Sequence, residues 1–380
     1  LTSIAIPDSP ARGKIGAAAE DLAVDSACDR ERWDAYVRRH PEGGFCHLWS
    51  VAEAIRRAYG HRVIRLAVFR GTAGGAANAE GDGRRLPSGV LTCVQIRHVI
   101  FGNRLVSLPF FDYGGVLSDD AAAHRALIEE ARRIGSLLGA AHLEIRHRTP
   151  PRAGEMDGQL RFHKVRMVRP LPGSSTELMR SFKSKLRSQV TKAQREGLKL
   201  QVGGAELLDR FYGVFAVNMR DLGSPVHSKA LIAAFLDAFP EAGRVFLVYR
   251  EGRPLAGSVA FGFKETVVNP WASSLRAFSR LNPNMLLYWG MLQYACDHGY
   301  RAFDFGRSTP GEGTFRFKEQ WGGQPEPSPW QFIALNSRAA SDGGSLAATP
   351  AFRLAGKVWQ RLPVELTRLI GPPLRKYISL

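Results

Sequence analysis

Leu138-Gly139-Ala-Ala-His142-Leu-Glu144-Ile-Arg146 and His298-Gly299-Tyr-Arg-Ala302-Phe-Asp304-Phe-Gly306 decide the fold. Each reads as the end of a helix, a glycine that stops it, and a short strand. Gly139 precedes Glu144 by five residues, and Gly299 precedes Asp304 by five. Outward from the first stretch, strands are expected at 63–70, 90–99 and 105–111, followed by a helix over 120–138. Asp119 or Asp120 would cap that helix, with Leu127, Ala131, Ile134 and Leu138 on one face. Around the second, 245–250 and 254–263 form a hairpin about Glu251-Gly252-Arg253. A strand at 267–273, a helix over 284–298 and a strand at 302–305 complete the unit. One order of elements occurs twice, which predicts an α/β (α+β) protein built from two copies of one unit.

The 380 residues suffice for two domains, and 44% hydrophobic with 23% charged is the composition of a folded protein. Three Gly-, Pro- or Ser-rich stretches at 71–88, 148–159 and 336–350 read as linkers or insertions. The expected division is a flexible segment 1–27, a first domain 28–170, a second domain 171–335, and a linker with a basic amphipathic tail, 336–380. Cys28, Cys46, Cys93 and Cys296 lie far apart and read as reduced thiols. No apolar run approaches the ~20 residues of a membrane span, and residues 1–27 lack a secretory signal. A cytoplasmic monomer is the expectation.

Lys+Arg number 52 against Asp+Glu 35, a net charge of +17 that points to anionic partners. Between the halves, Ser174-x-x-Glu177 is a capping box opening a helix over 175–197. Leu178, Phe182, Leu186, Val190 and Ala193 make its apolar stripe. Arg180, Lys183, Lys185, Arg187, Lys192, Arg195 and Lys199 face outward against Glu196 alone, so this stretch supplies +6 of the charge. Lys183, Arg187, Lys192 and Arg195 are candidate phosphate or polyanion contacts, with a solvated helix face as the plainer alternative. The tail adds +5 from Arg353, Lys357, Arg361, Arg368, Arg375 and Lys376 against Glu365. With Trp359 and several leucines it could lie on the inner face of an anionic membrane or pack back on the protein. Pro363, Pro372 and Pro373 are expected to break its helical run.

The chain has no G-x-S-x-G elbow, H-E-x-x-H, P-loop or dinucleotide fingerprint, and its histidines lack metal-ligand spacing. No metal or cofactor is expected. The richest segment is Phe303-Asp-Phe-Gly-Arg-Ser-Thr309 and the following Gly311-Glu-Gly-Thr-Phe-Arg-Phe-Lys-Glu-Gln-Trp-Gly322. A buried strand ends in a charged pair, Asp304 and Arg307, and a Gly-rich loop leads to Lys318 between Phe317 and Trp321. A lysine among aromatics pulls strongly on a phosphate or a developing oxyanion. The alternative is an Asp304–Arg307 tie at the strand end with Lys318 solvated on a hairpin.

Several blocks resemble the FemAB-like branch of the Fem-type aminoacyltransferases, more closely the FemAB-related proteins associated with PEP-CTERM/exosortase systems. They are Trp49 with Tyr59-Gly60-His61, Phe101-Gly-Asn-Arg-Leu-Val-Ser-Leu-Pro109 with Tyr113-Gly-Gly115, and Glu144-Ile-Arg146. The later ones are Asn218-Met-Arg-Asp-Leu-Gly-Ser-Pro-Val-His227, Asp304-Phe-Gly-Arg-Ser308 and Phe317-Lys-x-x-Trp-Gly322. The resemblance implies tandem GNAT-like acyltransferase domains, each a mixed sheet flanked by helices. It implies transfer of an acyl or aminoacyl group to an amine acceptor, often part of a cell-envelope or exopolysaccharide precursor. By that likeness Lys318 stabilises the reacting carbonyl or binds donor phosphates, with Asp304 and Arg307 shaping the pocket. Arg220, Asp221 and His227, read as a polar loop, would line the acceptor site. Tyr113, Arg146, Arg276, Phe317 and Trp321 complete the expected substrate-binding set.

The GNAT loop that cradles the pyrophosphate of acyl-CoA is not matched. Ser279-Arg-Leu-Asn-Pro-Asn284 lacks its glycines, and the first half is acidic at Asp119 and Asp120. An aminoacyl-tRNA or another carrier-bound donor is expected ahead of acyl-CoA. The competing class is a non-catalytic protein that binds RNA or acidic polysaccharide on the same scaffold.

Overall fold

The computed structural model describes residues 22–70, 85–152, 158–336 and 350–379. In the first half the elements are β1 (Leu22–Asp25), α1 (Arg30–Arg39), α2 (Trp49–Tyr59), β2 (Arg62–Arg70) and β3 (Gly89–His98). Then come β4 (Gly102–Val106), β5 (Leu117–Ser118), α3 (Ala121–Leu137), β6 (His142–Arg146) and β7 (Gln159–Arg161). The second half has β8 (Val165–Pro170), α4 (Ser175–Ser181), α5 (Ser184–Arg195), β9 (Lys199–Gly203), α6 (Leu208–Asp221) and α7 (Lys229–Ala238). It continues with β10 (Gly243–Arg250), β11 (Arg253–Phe263), β12 (Thr266–Ser274), α8 (Pro283–Asp297), β13 (Ala302–Ser308), α9 (Gly313–Gln320) and β14 (Gln324–Pro327). β15 (Trp330–Ala334), α10 (Pro350–Trp359) and α11 (Val364–Arg375) close the described chain.

Two sheets form. One runs β1-β2-β3-β4-β6-β15-β7 with β5 beside β3, and the other β14-β8-β13-β12-β11-β10-β9. Each has one parallel pair, β4 with β6 and β12 with β13, bridged by the crossover helices α3 and α8. The repeat read from the two glycine-strand stretches is therefore real. Each sheet also takes a strand from outside its own stretch of chain. β8 precedes the second unit and pairs with β13, whereas β15 follows it and returns to pair with β6. The boundary expected at 170 thus shifts, because Val165–Pro170 belongs to the second sheet and Trp330–Ala334 to the first. Backbone pairing over long sequence separation leaves no local pattern that would reveal this.

Most local expectations hold, with instructive exceptions. Asp120 caps α3 by accepting from the Ala122 and Ala123 amides, while Asp119 takes the Tyr36 hydroxyl. The expected strand at 105–111 stops at Val106, and Phe110 sits at φ 72° in the loop beyond. Within the segment expected to be flexible, Leu22–Asp25 is an edge strand on β2; residues 1–21 lie outside the described residues. Most of the stretches expected as linkers (71–84, 153–157 and 337–349) also lie outside. The helix expected over 175–197 breaks at Phe182 and Lys183, both extended. The Phe182 ring packs edge-on against Trp321 at 5.4 Å, and its carbonyl accepts from Arg187 Nη1 at 2.7 Å. Pro363 separates α10 from α11, but Pro372 and Pro373 lie inside α11 near its end. The N–H groups they lack are those that would reach the carbonyls of Arg368 and Leu369, midway along α11.

The second unit buries α8 against its sheet, with Leu287, Met291, Leu292 and Ala295 fully enclosed. A further core joins the two units. Phe45 stacks on Phe261 at 4.9 Å, and Phe111 meets Phe235 at 5.1 Å and Trp271 at 5.9 Å. Apolar burial on this scale holds the cleft between the units in one geometry. All four cysteines are free and buried, and burial pushes the Cys28 thiol up to about 11. No described helix is long and apolar enough to cross a membrane.

Candidate active site

β12 and β13 pair only at Thr266–Ala302, Val267–Phe303 and Val268–Asp304, and then diverge. The register of β13 against β8 shifts between Asp304 and Arg307, where Gly306 takes φ 74°. Left-handed backbone at this point favours glycine and forms a bulge. Asp304 Oδ1 accepts the Gly306 amide at 2.8 Å, and Asp112 Oδ2, from the first unit, accepts the Arg307 amide at 2.7 Å. The carbonyls of Gly306 and Arg307 both accept from Lys318 Nζ, at 3.1 and 2.9 Å.

Lys318 reaches the bulge from α9, which occupies part of the Gly-rich stretch expected as a loop. The side chain is buried beside Arg307, and burial lowers its pKa from 10.5 to about 8, opposed by Asp112 and Asp304. Two of its three ammonium hydrogens are taken by carbonyls; the third has no partner among the described residues. A cation fixed this way is placed to meet a developing negative charge with little reorganisation.

The Asp304–Arg307 pair does not form. The bulge turns the two apart, so Asp304 binds Arg166 of β8 at 2.9 Å, and Arg307 binds Asp112 at 3.2 Å. Arg166 also pairs with Glu326, and these carboxylates hold its guanidinium firmly charged despite burial. The Arg307 guanidinium lies 4.2 Å from the Trp330 ring, and that of Arg146 lies 3.9 Å from the same ring. Arg146 is wholly buried. It donates to Glu144 at 2.7 Å, to the Phe111 carbonyl at 2.7 Å, and to the Ser379 carbonyl. Arg104 donates to the Tyr377 carbonyl at 2.7 Å, so residues 377–379 are tied down over this strand end. Lys164 lies near Arg307, and burial with that neighbour lowers its pKa.

Lys318, Asp304, Arg307, Arg146 and Tyr113 thus gather between the two units. The Tyr113 ring lies under Arg166 and Arg148, and it lines a cleft of about 360 Å³ with Arg38, Lys264 and Thr266. Phe317 is half-buried, edge-on to Tyr288 at 4.9 Å, whereas Trp321 is fully enclosed in the second core. Arg276 is exposed on a short 3-10 turn before α8. Arg220 and Asp221 are the last residues of α6, not a loop. They bind each other at 2.6 Å, and Arg220 donates to the Leu362 carbonyl of the tail.

His227 is buried and kept neutral, its pKa far below 6.5 because of burial and Arg375. Arg375 donates to Nε2, so the proton sits on Nδ1 and is shared with Tyr59 Oη at 2.9 Å. Lys183, Arg187, Lys192 and Arg195 are exposed, with no ion pair to any described residue. Asp112, Lys164, Arg166 and Trp330 were not singled out by sequence reading. Asp112 lies between two of the recognised blocks, but nothing local marks Arg166 or Trp330: Arg166 finds Asp304 138 residues away, and Trp330 finds Arg146 on a strand of the first unit.

A family model described as an acetyltransferase (GNAT) domain matches residues 180–319. Among solved structures, FemX is 16% identical, covers 81% of this chain and 96% of its own, and superposes with a TM-score of 0.59. A putative lysylphosphatidylglycerol synthetase C-terminal domain from Agrobacterium fabrum is 12% identical, covering 82% and 93%, with a TM-score of 0.53. L-PGS from Bacillus licheniformis is 14% identical, covering 88% and 98%, with a TM-score of 0.52. No curated protein matches the sequence. The chain has the GNAT-like acyltransferase fold in tandem, each unit a mixed sheet flanked by helices. At these identities the likeness to solved structures is one of fold.

Proposed function

We propose that this protein transfers an acyl or aminoacyl group to an amine on a cell-envelope or exopolysaccharide-related acceptor. The donor is carrier- or tRNA-linked, in the manner of the FemAB-like proteins of PEP-CTERM systems that its motifs resemble. The observation that carries this reading is Lys318 at the β13 bulge, buried and with one hydrogen unclaimed. In the reaction the acceptor nitrogen attacks the donor carbonyl and the C–N bond forms. The bond to the carrier breaks, and the proton lost by the amine ends on the departing group. Lys318 stabilises the carbonyl oxygen as it becomes negative.

A donor other than acyl-CoA is supported by the start of α8. Pro283 has no N–H, and the Met285 and Leu286 amides bond to the Asn282 carbonyl, which leaves a poor cradle for pyrophosphate. A second reading, polyanion binding without chemistry, is supported by the unpaired cations along α5.

Transfer from aminoacyl-tRNA, acyl-carrier-protein and acyl-CoA donors, followed by mass spectrometry of an amine acceptor, separates the two. Lys318→Ala should lower the rate by about 10²–10³ with little change in substrate binding. Because Lys318 acts as a cation, the rate should fall as pH rises through about 8. A rate that climbs through that pH would make it a base instead. Absence of transfer from every donor, with RNA binding lost in Lys192→Gln/Arg195→Gln, would favour the second reading.

A further inference from the structure

α10 and α11 press their inner sides on the chain just after α6. Gly356 lies against Gly223, and Gly371 against Val226 and the Trp359 ring. Their outer sides are unusual. Leu354 is 65% exposed, Val358 54% and Leu369 73%, and Leu222, next to Gly223, is 60% exposed. The described residues expose eleven large apolar side chains, and six of them are Leu222, Leu354, Val358, Leu366, Leu369 and Leu374. A concentration of this kind marks an interaction surface, where scattered apolar residues would not. Arg353, Lys357, Arg361 and Arg368 are exposed around it, none in an ion pair with a described residue, although the Arg368 guanidinium also lies 5.5 Å from the Tyr212 ring of α6. Glu365 is the one acid in these two helices.

We propose that α10 and α11 form a docking face for a bilayer surface rich in anionic phospholipid. The leucines and Val358 enter the boundary between headgroups and acyl chains, and the four cations meet headgroup phosphates. Charge selects this occupant. A second copy of the face would set four cations against four more, whereas an anionic bilayer complements both the apolar residues and the cations. Neither helix can span, so both lie in the plane of the surface. The face is separate from Lys318 and does not depend on the reaction proposed above.

Flotation of the full chain with phosphatidylglycerol vesicles, and with phosphatidylcholine vesicles as the neutral comparison, tests it without any substrate. The protein should float with the anionic vesicles and be released by salt. Arg353→Gln/Lys357→Gln should weaken partitioning about 30-fold. Leu354→Ser/Leu369→Ser should weaken it at least about tenfold. These side chains are exposed, so the fold should be kept, and thermal melts check this. Lys183→Gln/Lys192→Gln on α5 should change partitioning less than about twofold. The proposal falls if the wild-type protein stays unbound at low salt or binds both vesicle types equally. It also falls if the α5 pair carries the loss, or if the face instead makes a dimer that Leu354→Ser/Leu369→Ser dissociates.

Discussion

The ends of β6 and β13 are the same place in two copies of one unit, and they are put to different uses. Each has an acid five residues after the helix-ending glycine, Glu144 and Asp304, and an arginine shortly beyond, Arg146 and Arg307. On β6 the spacing is two, so both side chains lie on one face of the strand and bond at 2.7 Å. Arg146 then reaches the Phe111 and Ser379 carbonyls, and that strand end is closed. On β13 the spacing is three, because Gly306 is inserted in the left-handed region. Asp304 and Arg307 find separate partners, Arg166 and Asp112, and the bulge turns two carbonyls toward Lys318. One glycine, more than the charged residues it separates, distinguishes the candidate catalytic end from the closed one.

Four measurements test that contrast. The largest effect is expected from Asp304→Ala, which leaves the buried Arg166 guanidinium with Glu326 alone. Chemical denaturation should show a loss of about 3–5 kcal/mol. Acid should separate the halves next. In the first unit His47 and His147 are buried and neutral, their pKa values lowered to about 3 and about 4 by burial. The unfolded chain binds protons at these sites below 6.5 while the folded one does not, so stability falls as pH falls through that value. By pH 5.5 the two together should cost about 3 kcal/mol. His227 carries the same penalty in the second unit, so the first has two such sites against one, and hydrogen exchange near that pH should show strands β3 and β6 opening before β11 and β12. Protection lost in the opposite order would refute the assignment.

Glu144→Ala should cost less than Asp304→Ala, about 1–3 kcal/mol, because Arg146 keeps two carbonyl acceptors. Equal losses in the two variants would mean that the closed and open strand ends are energetically alike. The smallest expected effect on stability is Gly306→Ala, about 1–2 kcal/mol for the left-handed backbone. Its added Cβ would sit 2.9 Å from Asp112 Oδ2, so transfer activity should fall further than stability does. Retained full activity in that variant would remove the bulge from the mechanism.

Much of the architecture was legible locally. Helix-glycine-strand units, the Ser174 cap, the Asp120 cap and the stripe Leu178, Phe182, Leu186, Val190 and Ala193 all depend on neighbours within a few residues. The break at Phe182 was hidden because it answers to Trp321, far along the chain, and to Arg169 on the preceding strand. Lys318, Asp304 and Arg307 were singled out by the charged strand end and the lysine among aromatics, and the motif resemblance added only their expected roles, whereas Asp112, Arg166 and Trp330 were missed. Their significance lies in contacts across the two units, and a buried arginine on a strand such as β8 looks no different from a solvated one until its partner is placed.

Local sequence was enough to show that one α/β unit occurs twice, that charge gathers in α5 and the tail, and which glycines end the helices. These follow from periodicity, capping and composition, which act over a few residues. Tertiary structure alone decided that β8 and β15 cross to the opposite sheets, and that Asp304 and Arg307 part company. It also decided that Lys318 is buried and held by two carbonyls instead of standing in solvent. Those outcomes depend on which distant strands and side chains exclude water from one another, and that balance exists only once the chain has closed on itself.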